Sequence, residues 1–387
     1  MTVIVINAVS VREGGSLVVL RELLPRLLQQ RPHWHWLVVT NDIARASLPA
    51  ATAMLAYHVV TAAQLDGWRI RLWYETALPA LLETANADLL YSQTNYLPAA
   101  GLRCPALLLV QHAGHFSPLF QRLTERQSSS WLATLSWRMK GRWVRSSVRR
   151  ATRVTVQTAA LAHDIAAVTG VDANRIAVIA HGPGLAPVGS IPMPTLPAAG
   201  APLRIGYVTK AGVQKNFGVV LQAVQRLRRQ GRLVTLVLTL DPALPENRAV
   251  LAEAERLGLD GCLDNRGELD ADGVRALYRS LHAFVFASLC ESFGFPLVEA
   301  MAHALPLCIA DTAASREVAG DAGLWFGADD AEALAGHLRL LADDPVAYGK
   351  QVQLSLTRSA AFSWHTAAER NVALIENLLA TVEQPAS

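Results

Sequence analysis

The chain contains 387 residues, a length that predicts two domains or one large domain. Hydrophobic residues make up 51% of the sequence and charged residues 17%, which excludes a mainly disordered chain. The formal net charge of +3 is too small to indicate nucleic-acid binding without a local basic cluster. The cysteines lack the spacing of a zinc site or a C-x-x-C pair, and no apolar run approaches ~18 residues. We therefore expect a reduced, cytoplasmic protein without a transmembrane helix.

The first half of the chain alternates short apolar runs with helical patterns. Val3–Ile6 is a β-branched run without the preceding basic residues of a signal peptide. A leucine stripe follows at helical spacing and is interrupted by Pro25, which predicts a kinked helix or an early restart. Further strands are predicted at Trp36–Thr40, Ala87–Tyr91, Ala106–Gln111, Val154–Gln157 and Ile176–Ile179. Strands separated by helices indicate parallel βαβ units.

A proline-rich stretch then divides the chain. Residues 186–203 contain five prolines, Pro192 among them, and are typical of a linker. Beyond it, strands are predicted at Arg204–Val208, Leu233–Leu240, Ala283–Ala287 and Leu307–Ala310, and helices at Asn216–Gln230, Arg248–Leu257, Pro296–His303 and Ser363–Ala380. The predicted organisation is α/β, with Rossmann-like domains at 1–185 and 204–362, the linker between them, and a C-terminal helical segment at 363–387.

The strongest functional signal lies in residues 288–302, where a predicted strand ends and a helix begins. Glu291 falls in the loop and Glu299 falls one turn into the helix. Ligands of open α/β sheets collect at the carboxyl ends of strands, and the amides around Gly294 and Phe295 can donate to hydroxyls or phosphates. The two carboxylates can accept hydrogen bonds from a polyol such as ribose or a hexose. A capped helix with a surface glutamate is the alternative, and these residues alone leave it open.

A second signal is a pair of lysines in the loop after the strand Arg204–Val208. Lys210 and Lys215 would both reach a phosphate at the start of the following helix, for which Asn216 is a candidate N-cap. Two solvated lysines are the simpler interpretation. Only four of the 35 basic residues are lysine, however, which favours a specific role for two of them in one loop.

Two loops in the first half carry weaker signals. Gly14 and Gly15 allow close approach of a ligand to the backbone, and Ser16 can cap the next helix, although an ordinary turn explains them equally well. His112 and His115 follow a predicted strand, and one of them can face a ligand while the other is structural.

Basic and aromatic residues are interleaved between residues 131 and 153. The members of this run are Arg138, Lys140, Arg142, Arg145, Arg149, Arg150 and Arg153, with Trp131, Trp137 and Trp143. Such a composition suits an anionic membrane surface, while a solvated helix face remains the alternative. Nucleic acid fits less well because the rest of the chain is not basic.

Residues 265–330 resemble the donor-binding region of the retaining glycosyltransferases of the GT-B fold, in the large group 1 family (family four). The segments that carry the resemblance are NRGELDADGVRALYRS, FVFASLCESFGFPLVEAMAHALPLCIAD and SREVAGDAGLWF. The resemblance covers nearly the whole chain. It implies two Rossmann-like domains that face a central cleft, with the C-terminal helix crossing back to the N-terminal domain.

The resemblance also implies roles for residues of the C-terminal half. Glu299 would bind the ribose hydroxyls of a nucleotide, and Glu291 would contact the donor sugar near its reacting face. The amides of Gly294 and Phe295 would hold sugar hydroxyls. Lys215 matches the phosphate-binding lysine of the family.

Further matches are less complete. Lys210 stands where the family commonly has arginine, which keeps the charge but loses the bidentate fork. Gly14 and Gly15 match the glycine loop near the diphosphate, and Glu317 matches a loop near the nucleotide. His112 matches a histidine that orients the sugar, although its usual acidic neighbour is absent.

The implied reaction transfers a mannose- or glucose-type hexose from a nucleotide diphosphate sugar to a glycan or lipid-linked glycan, with retention and without a cofactor or metal. Bacterial surface polysaccharide synthesis, at the inner face of the cytoplasmic membrane, is the expected setting. A sugar-nucleotide epimerase of the same fold and a non-catalytic nucleotide-sugar or glycan-binding protein remain as alternatives. A pyridoxal-dependent phosphorylase is disfavoured, because no lysine has a distinctive motif for a Schiff base.

Overall fold

The computed structural model describes residues 1–65, 67–127, 130–191, 193–198 and 200–383. Pro192 of the predicted linker and residues 384–387 of the predicted C-terminal segment lie outside this range. The chain divides into two compact units. Unit 1 comprises Met1–Pro118, Ser128–Gly182 and Ser363–Ser387, and unit 2 comprises Leu119–Gln127 and Pro183–Phe362.

Each unit contains one fully parallel sheet. The strands, in chain order, are β1 (Val3–Asn7), β2 (His35–Asn41), β3 (Leu55–Val60), β4 (Leu89–Ser92), β5 (Ala106–Leu109), β6 (Arg153–Val156), β7 (Ile176–Val178), β8 (Leu203–Tyr207), β9 (Val234–Leu238), β10 (Leu263–Asn265), β11 (Ala283–Phe286), β12 (Leu307–Ala310) and β13 (Gly323–Phe326). Unit 1 has the strand order β3-β2-β1-β4-β5-β6-β7, and unit 2 has β10-β9-β8-β11-β12-β13. The predicted pair of Rossmann-like α/β sheets is confirmed.

Helices connect the strands, as parallel pairing requires. They are α1 (Gly14–Gln30), α2 (Asp42–Arg45), α3 (Trp68–Glu75), α4 (Ala77–Thr84), α5 (Pro118–Gln127), α6 (Trp131–Arg150), α7 (Ala159–Thr169), α8 (Phe217–Arg229), α9 (Pro245–Arg256), α10 (Ala271–Ser280), α11 (Phe295–Ala302), α12 (Ala313–Ala319), α13 (Ala331–Asp343), α14 (Pro345–Ser359) and α15 (Trp364–Glu383). Within the described part of the chain, none of these helices has the length and apolarity needed to cross a bilayer.

The first helix corrects one expectation. α1 runs without interruption from Gly14 to Gln30 and contains Pro25, so the predicted restart does not occur. A proline inside a helix costs about 3 kcal/mol through the lost hydrogen bond and the ring clash. Leu20, Leu23, Leu24 and Leu27 are buried on both sides of it, and their burial keeps the two halves of the helix in register.

The C-terminal helix belongs to unit 1, where it packs on α1. The Arg31 guanidinium donates to the Glu376 carboxylate at 2.7 Å, which joins the end of α1 to α15. Deeper in the unit, the hydroxyl of Tyr91 on β4 donates to the side-chain carbonyl of Asn371 at 2.9 Å, and both residues are buried. The predicted return of this helix to the N-terminal sheet is confirmed.

Candidate functional site

The two loops singled out in unit 2 follow its central strands. The sheet places β8 beside β11, although the chain continues from β8 to β9 and from β11 to β12. A reversal of this kind is where ligands bind in parallel α/β sheets. Residues 208–216 follow β8 and residues 287–294 follow β11, and the amide of Leu289 donates to the carbonyl of Gln214 at 2.9 Å. The structure therefore brings the lysine loop and the glutamate loop together.

Lys215 and Glu291 form an ion pair between Nζ and Oε1, and their side chains are only 15% and 20% exposed. The Ser288 hydroxyl donates to the same oxygen at 2.7 Å. The Tyr207 hydroxyl donates to the Lys215 carbonyl at 2.5 Å. Burial and the charge of Glu291 raise the pKa of Tyr207 well above its usual value, so this hydroxyl stays a donor. Lys215 and Glu291, for which the family resemblance implies contacts with the diphosphate and with the sugar, are thus direct neighbours.

Lys210 lies at the start of the same loop and has a different partner. Its Nζ is 3.5 Å from the Glu268 carboxylate, and the two side chains are 60% and 68% exposed. An ion pair as exposed as this contributes only about 0–1 kcal/mol. Lys210 can therefore exchange Glu268 for an incoming anion at little cost, whereas Lys215 must share or leave a more buried partner.

Gly294 forms the turn that starts α11. Its φ of +86° lies in the left-handed region, and a Cβ there would stand 3.0 Å from Cζ of Phe286. Only glycine meets both requirements without strain. Phe295 is the first helical residue, one position earlier than predicted. The amide of Leu297 donates to the Gly294 carbonyl at 2.9 Å, which closes the first turn of α11 at the carboxyl end of β11.

Glu299, one turn into α11, is 6% exposed and accepts a hydrogen bond from the Tyr278 hydroxyl at 2.9 Å. Burial raises the pKa of its carboxyl to about 7, against the lowering effects of that bond, the Leu185 backbone and the positive charge of Arg275. The His303 ring stacks on Tyr278 at 4.9 Å and hydrogen-bonds through Nδ1 to the Glu299 carbonyl at 2.8 Å. Tyr278 and His303 therefore fix the orientation of this carboxylate.

Glu317 lies on α12, which follows β12, the neighbour of β11 in the sheet. Its carbonyl accepts from the Arg358 guanidinium at 2.6 Å, and the carbonyl of Val318 accepts from the same group at 2.8 Å. These bonds hold the end of α12. Glu317 therefore lies on a helix that begins beyond the carboxyl end of β12, next to the loop that follows β11.

In unit 1, Gly14 and Gly15 open α1 in the connection that leaves β1. Gly14 has a φ of +64°, and a Cβ there would meet no atom within 4 Å, so its surroundings are open. The residue before the helix is Glu13, whose side chain makes no capping hydrogen bond. The hydroxyl of Ser16 donates to the Glu13 carbonyl at 3.1 Å, so the predicted capping by Ser16 is wrong.

The structure separates the roles of the two histidines after β5. His115 is buried and stacks on Trp137 at 4.2 Å. Burial, with the positive charges of Arg145 and Lys140 nearby, lowers its pKa to about 3. His112 is exposed, and its Nδ1 accepts from the amide of Gly114 at 3.2 Å. Of the two, His112 is the one with an exposed side chain.

Unit 1 also has a buried polar group that the sequence did not reveal. The side-chain amide of Asn7, at the end of β1, donates to the hydroxyls of Tyr74 and Ser92 at 3.2 Å each. Ser92 ends β4, the strand beside β1, so these bonds fix the point where the sheet order of unit 1 reverses. The contact joins residues 85 positions apart, and nothing in the local pattern indicates it.

Two family profiles match the chain in separate halves. Residues 13–183 match the profile described as Glycosyltransferase Family 4. Residues 202–344 match the profile described as Glycosyl transferases group 1.

Two curated proteins are similar over part of the chain. The O-antigen chain mannosyltransferase B of Escherichia coli is 25% identical over 166 residues, which cover 43% of this chain and 44% of that protein. The MMP α-(1→4)-mannosyltransferase of Mycolicibacterium hassiacum is 30% identical over 185 residues, which cover 46% of this chain and 44% of that protein. The match therefore spans less than half the length of either relative.

Solved structures match over nearly the full length. A sucrose-phosphate synthase from Thermosynechococcus elongatus superposes with a TM-score of 0.73 and 16% identity, covering 98% of this chain and all of the other. The Anabaena protein HepE, solved with UDP-glucose, has a TM-score of 0.69 and 15% identity, covering 97% of this chain and all of the other. At this level of identity the likeness establishes the GT-B fold.

Proposed function

Because the chain belongs to the group 1 family of glycosyltransferases (family four), we propose that it transfers a hexose from a nucleotide diphosphate sugar to an acceptor hydroxyl with retention. The observation that carries this proposal is the group of Lys215, Glu291 and Ser288 at the carboxyl ends of β8 and β11. A diphosphate needs a fixed cation, and sugar hydroxyls need fixed acceptors. The group supplies both within one hydrogen-bonded arrangement.

In the proposed complex, Lys215 and Lys210 bind the diphosphate. The bond between the anomeric carbon and the diphosphate breaks as the acceptor oxygen forms its bond on the same face of the sugar, and the acceptor hydroxyl gives its proton to the leaving phosphate oxygen. Negative charge then develops on the leaving diphosphate, and the two ammonium groups stabilise it. We propose that these fixed charges serve in place of a divalent cation, so activity would persist in excess EDTA.

The carboxylates bind the sugar and the ribose. Glu291 contacts the hexose near its reacting face, and Glu299 accepts from the ribose hydroxyls. Phe295 contributes an amide to the sugar, and Glu317 lies near the nucleotide. In unit 1, Gly14, Gly15 and His112 keep the roles that the family resemblance implies, near the diphosphate and the sugar respectively.

Mannose is the hexose that we favour, because both curated relatives are named as mannosyltransferases. One of them is named for the O-antigen chain, which supports a glycan or lipid-linked glycan of the bacterial surface as acceptor. UDP-glucose, seen bound to HepE, is the donor to compare.

The first experiment is a calorimetric screen of UDP, GDP, ADP and their glucose and mannose conjugates. We expect one nucleotide series to bind the wild type and to bind Glu299→Ala weakly, while Glu255→Ala, an exposed glutamate on α9, behaves as wild type. Absence of nucleotide binding to folded protein would overturn the proposal.

The products then distinguish the alternatives. The donor is incubated with and without glycan acceptors, and the sugar is followed by NMR. A new glycosidic bond with the anomeric configuration of the donor, or slow release of the free sugar with that configuration, supports a retaining transferase. An epimeric nucleotide sugar would identify an epimerase. A donor that binds and stays intact throughout would favour a binding protein.

A further inference from the structure

The first half of α6 exposes most of its large apolar side chains. From Gly141 onward the helix buries side chains such as Val144 and Val148 against the unit. Before that point Trp137 packs on His115, and the other large apolar side chains face solvent. Their exposed fractions are Trp131 74%, Leu132 57%, Leu135 45% and Met139 53%. Positions 131, 135 and 139 are one helical turn apart, and residue 132 lies beside them, so the four form one stripe.

The charges on α6 are all of one sign. Its 20 residues include five arginines and one lysine, and none is Asp or Glu. Arg138, Arg142, Arg145 and Arg149 are spaced by four, three and four residues, which places them on one face of the helix. At 100° per residue this basic face borders the apolar stripe. Arg138, Arg142 and Arg149 are exposed, whereas Arg145 is half-buried and donates to the His115 carbonyl at 3.4 Å. The exposed side of α6 is thus amphipathic, with an apolar stripe beside exposed arginines.

A shorter stretch of the same character lies next to it. On α3, Trp68 and Leu72 are 72% and 51% exposed and stand one turn apart, with Arg69 between them. The Arg71 guanidinium lies 5.4 Å from the ring of Trp143, which makes α3 a neighbour of α6. Scattered apolar residues on a surface need no explanation, but two adjacent helices with exposed Trp and Leu beside arginines indicate an interaction surface.

The composition of this surface selects its partner. Exposed arginines on a helix that contains no Asp or Glu favour an anionic surface, and a tryptophan beside leucines and methionine favours an apolar layer next to those anions. A bilayer with anionic lipids offers both, because its charged phosphates lie directly above its acyl chains. We propose that α6 lies in the interface of an anionic membrane, with the stripe Trp131, Leu132, Leu135 and Met139 in the acyl boundary and the arginines at the lipid phosphates.

This membrane proposal does not depend on the glycosyltransferase proposal, since it involves none of the residues assigned to the donor. The test is co-sedimentation of the full chain with vesicles of phosphatidylglycerol and phosphatidylcholine in equal parts, and with vesicles of phosphatidylcholine alone. We expect binding to the mixed vesicles, weak binding to the neutral ones, and a loss at ~1 M salt, where screening shortens the reach of charges to about 3 Å.

Two pairs of variants separate the apolar contribution from the charged one. Trp131→Ser with Leu135→Ser removes half of the stripe, and Leu233→Ser with Val346→Ser removes two equally exposed apolar residues of unit 2. Arg138→Gln with Arg142→Gln lowers the charge by two, as does Arg228→Gln with Arg229→Gln at the end of α8. We expect each α6 variant to bind the mixed vesicles at least about tenfold more weakly, and each control to bind as wild type.

Insertion of α6 into the acyl boundary can be measured separately from binding, by tryptophan fluorescence. Lipids with brominated chains quench tryptophans near the acyl boundary, so quenching should fall in the Trp131→Ser, Leu135→Ser variant beyond what reduced binding explains. Equal losses in the α6 variants and their controls would show only diffuse charge attraction and would overturn the proposal. A dimer in solution that the same variant dissociates, without vesicle binding by the wild type, would assign the surface to a second copy instead.

Discussion

The ammonium of Lys215 already has a partner in Glu291, which determines what its removal does. In Lys215→Ala the diphosphate loses a charge-assisted contact worth about 1.5–3 kcal/mol and meets an unneutralised carboxylate. We expect the Kd for the nucleoside diphosphate to rise about 10- to 100-fold. Calorimetry measures this, and Lys350→Ala, an exposed lysine on α14, is the matched control. If the carboxylate accounts for part of the loss, Glu291→Gln added to Lys215→Ala recovers it. An unchanged Kd in Lys215→Ala contradicts the assigned phosphate contact.

We expect Glu299 to make the affinity for the donor depend on pH near neutrality. Burial raises its pKa to about 7, so the carboxyl is mostly protonated at pH 6 and mostly ionised at pH 8. An ionised carboxylate accepts hydrogen bonds about twice as strongly as a neutral one. We expect the affinity for an intact nucleotide sugar, which has no titrating phosphate in this range, to increase from pH 6 to pH 8. Glu299→Gln should remove that increase, and an equal increase in both proteins would assign the titration to another group.

The sequence revealed some of these residues and not their neighbours. Glu291, Glu299 and Lys215 belong to short segments in which residue type and spacing are constrained by a strand end and a helix start. The hydroxyl of Tyr278 that orients Glu299 comes from α10, 21 residues away. Glu268, the partner of Lys210, comes from the loop after β10. Such contacts depend on which elements the sheet order brings together, and that order cannot be derived from the local pattern of a single sequence.

At the scale of elements, burial accounts for most of the strands that could be predicted, although the short edge strand β7, with three half-buried residues, was predicted as well. β1, β8, β11 and β12 are central and almost wholly buried, so they appear as continuous apolar runs. The strands that were missed, β3, β10 and β13, lie at sheet edges and are partly exposed, and β10 has only three residues.

The predicted N-cap of α8 is correct in position and not in its hydrogen bond. Asn216 precedes α8 as expected, but it has a left-handed conformation and its side chain does not cap the helix. Its side-chain amide donates instead to the Ala328 carbonyl at 2.7 Å.

The attachment of α15 to unit 1 rests on a contact that can be tested. Asn371 accepts from Tyr91 and donates to the Ala367 carbonyl at 2.7 Å, all inside the unit. Asn371→Leu leaves the Tyr91 hydroxyl without this acceptor, which costs about 1–3 kcal/mol. We expect the calorimetric transition of unit 1 to move to lower temperature. Asn377→Leu, the same change on the exposed side of α15, is the control, and equal shifts in both variants would show that helix propensity is responsible.

At the scale of the whole molecule, buried titratable groups make the stability of each unit depend on pH. Burial lowers the pKa of His282 and His303 in unit 2, and the raised pKa of Glu299 opposes their effect. In unit 2, the raised pKa of Glu299 means that the folded state keeps a proton that the unfolded state releases. This contribution therefore weakens stability as the pH rises from about 4.3 to about 7. In unit 1, burial lowers the pKa of His115 and of His181 to about 3. Here the unfolded state binds protons below about pH 6.5 that the folded state excludes, so stability is lost as the pH falls.

Unit 1 should therefore be the part that fails first in mild acid. Between pH 7 and pH 5, each buried neutral histidine lowers the unfolding free energy by about 2 kcal/mol. The ring of His181 stacks on Trp364 at 5.0 Å, so His181→Phe keeps the stack and removes one titrating group. We expect the acid shift of the unit 1 transition to be roughly halved in this variant. It should be unchanged in His163→Phe, an exposed position on α7. The Asn371→Leu variant identifies the transitions, because the contact that it removes lies wholly within unit 1. If the acid shift is the same in all three proteins, protonation of other groups controls the stability of unit 1.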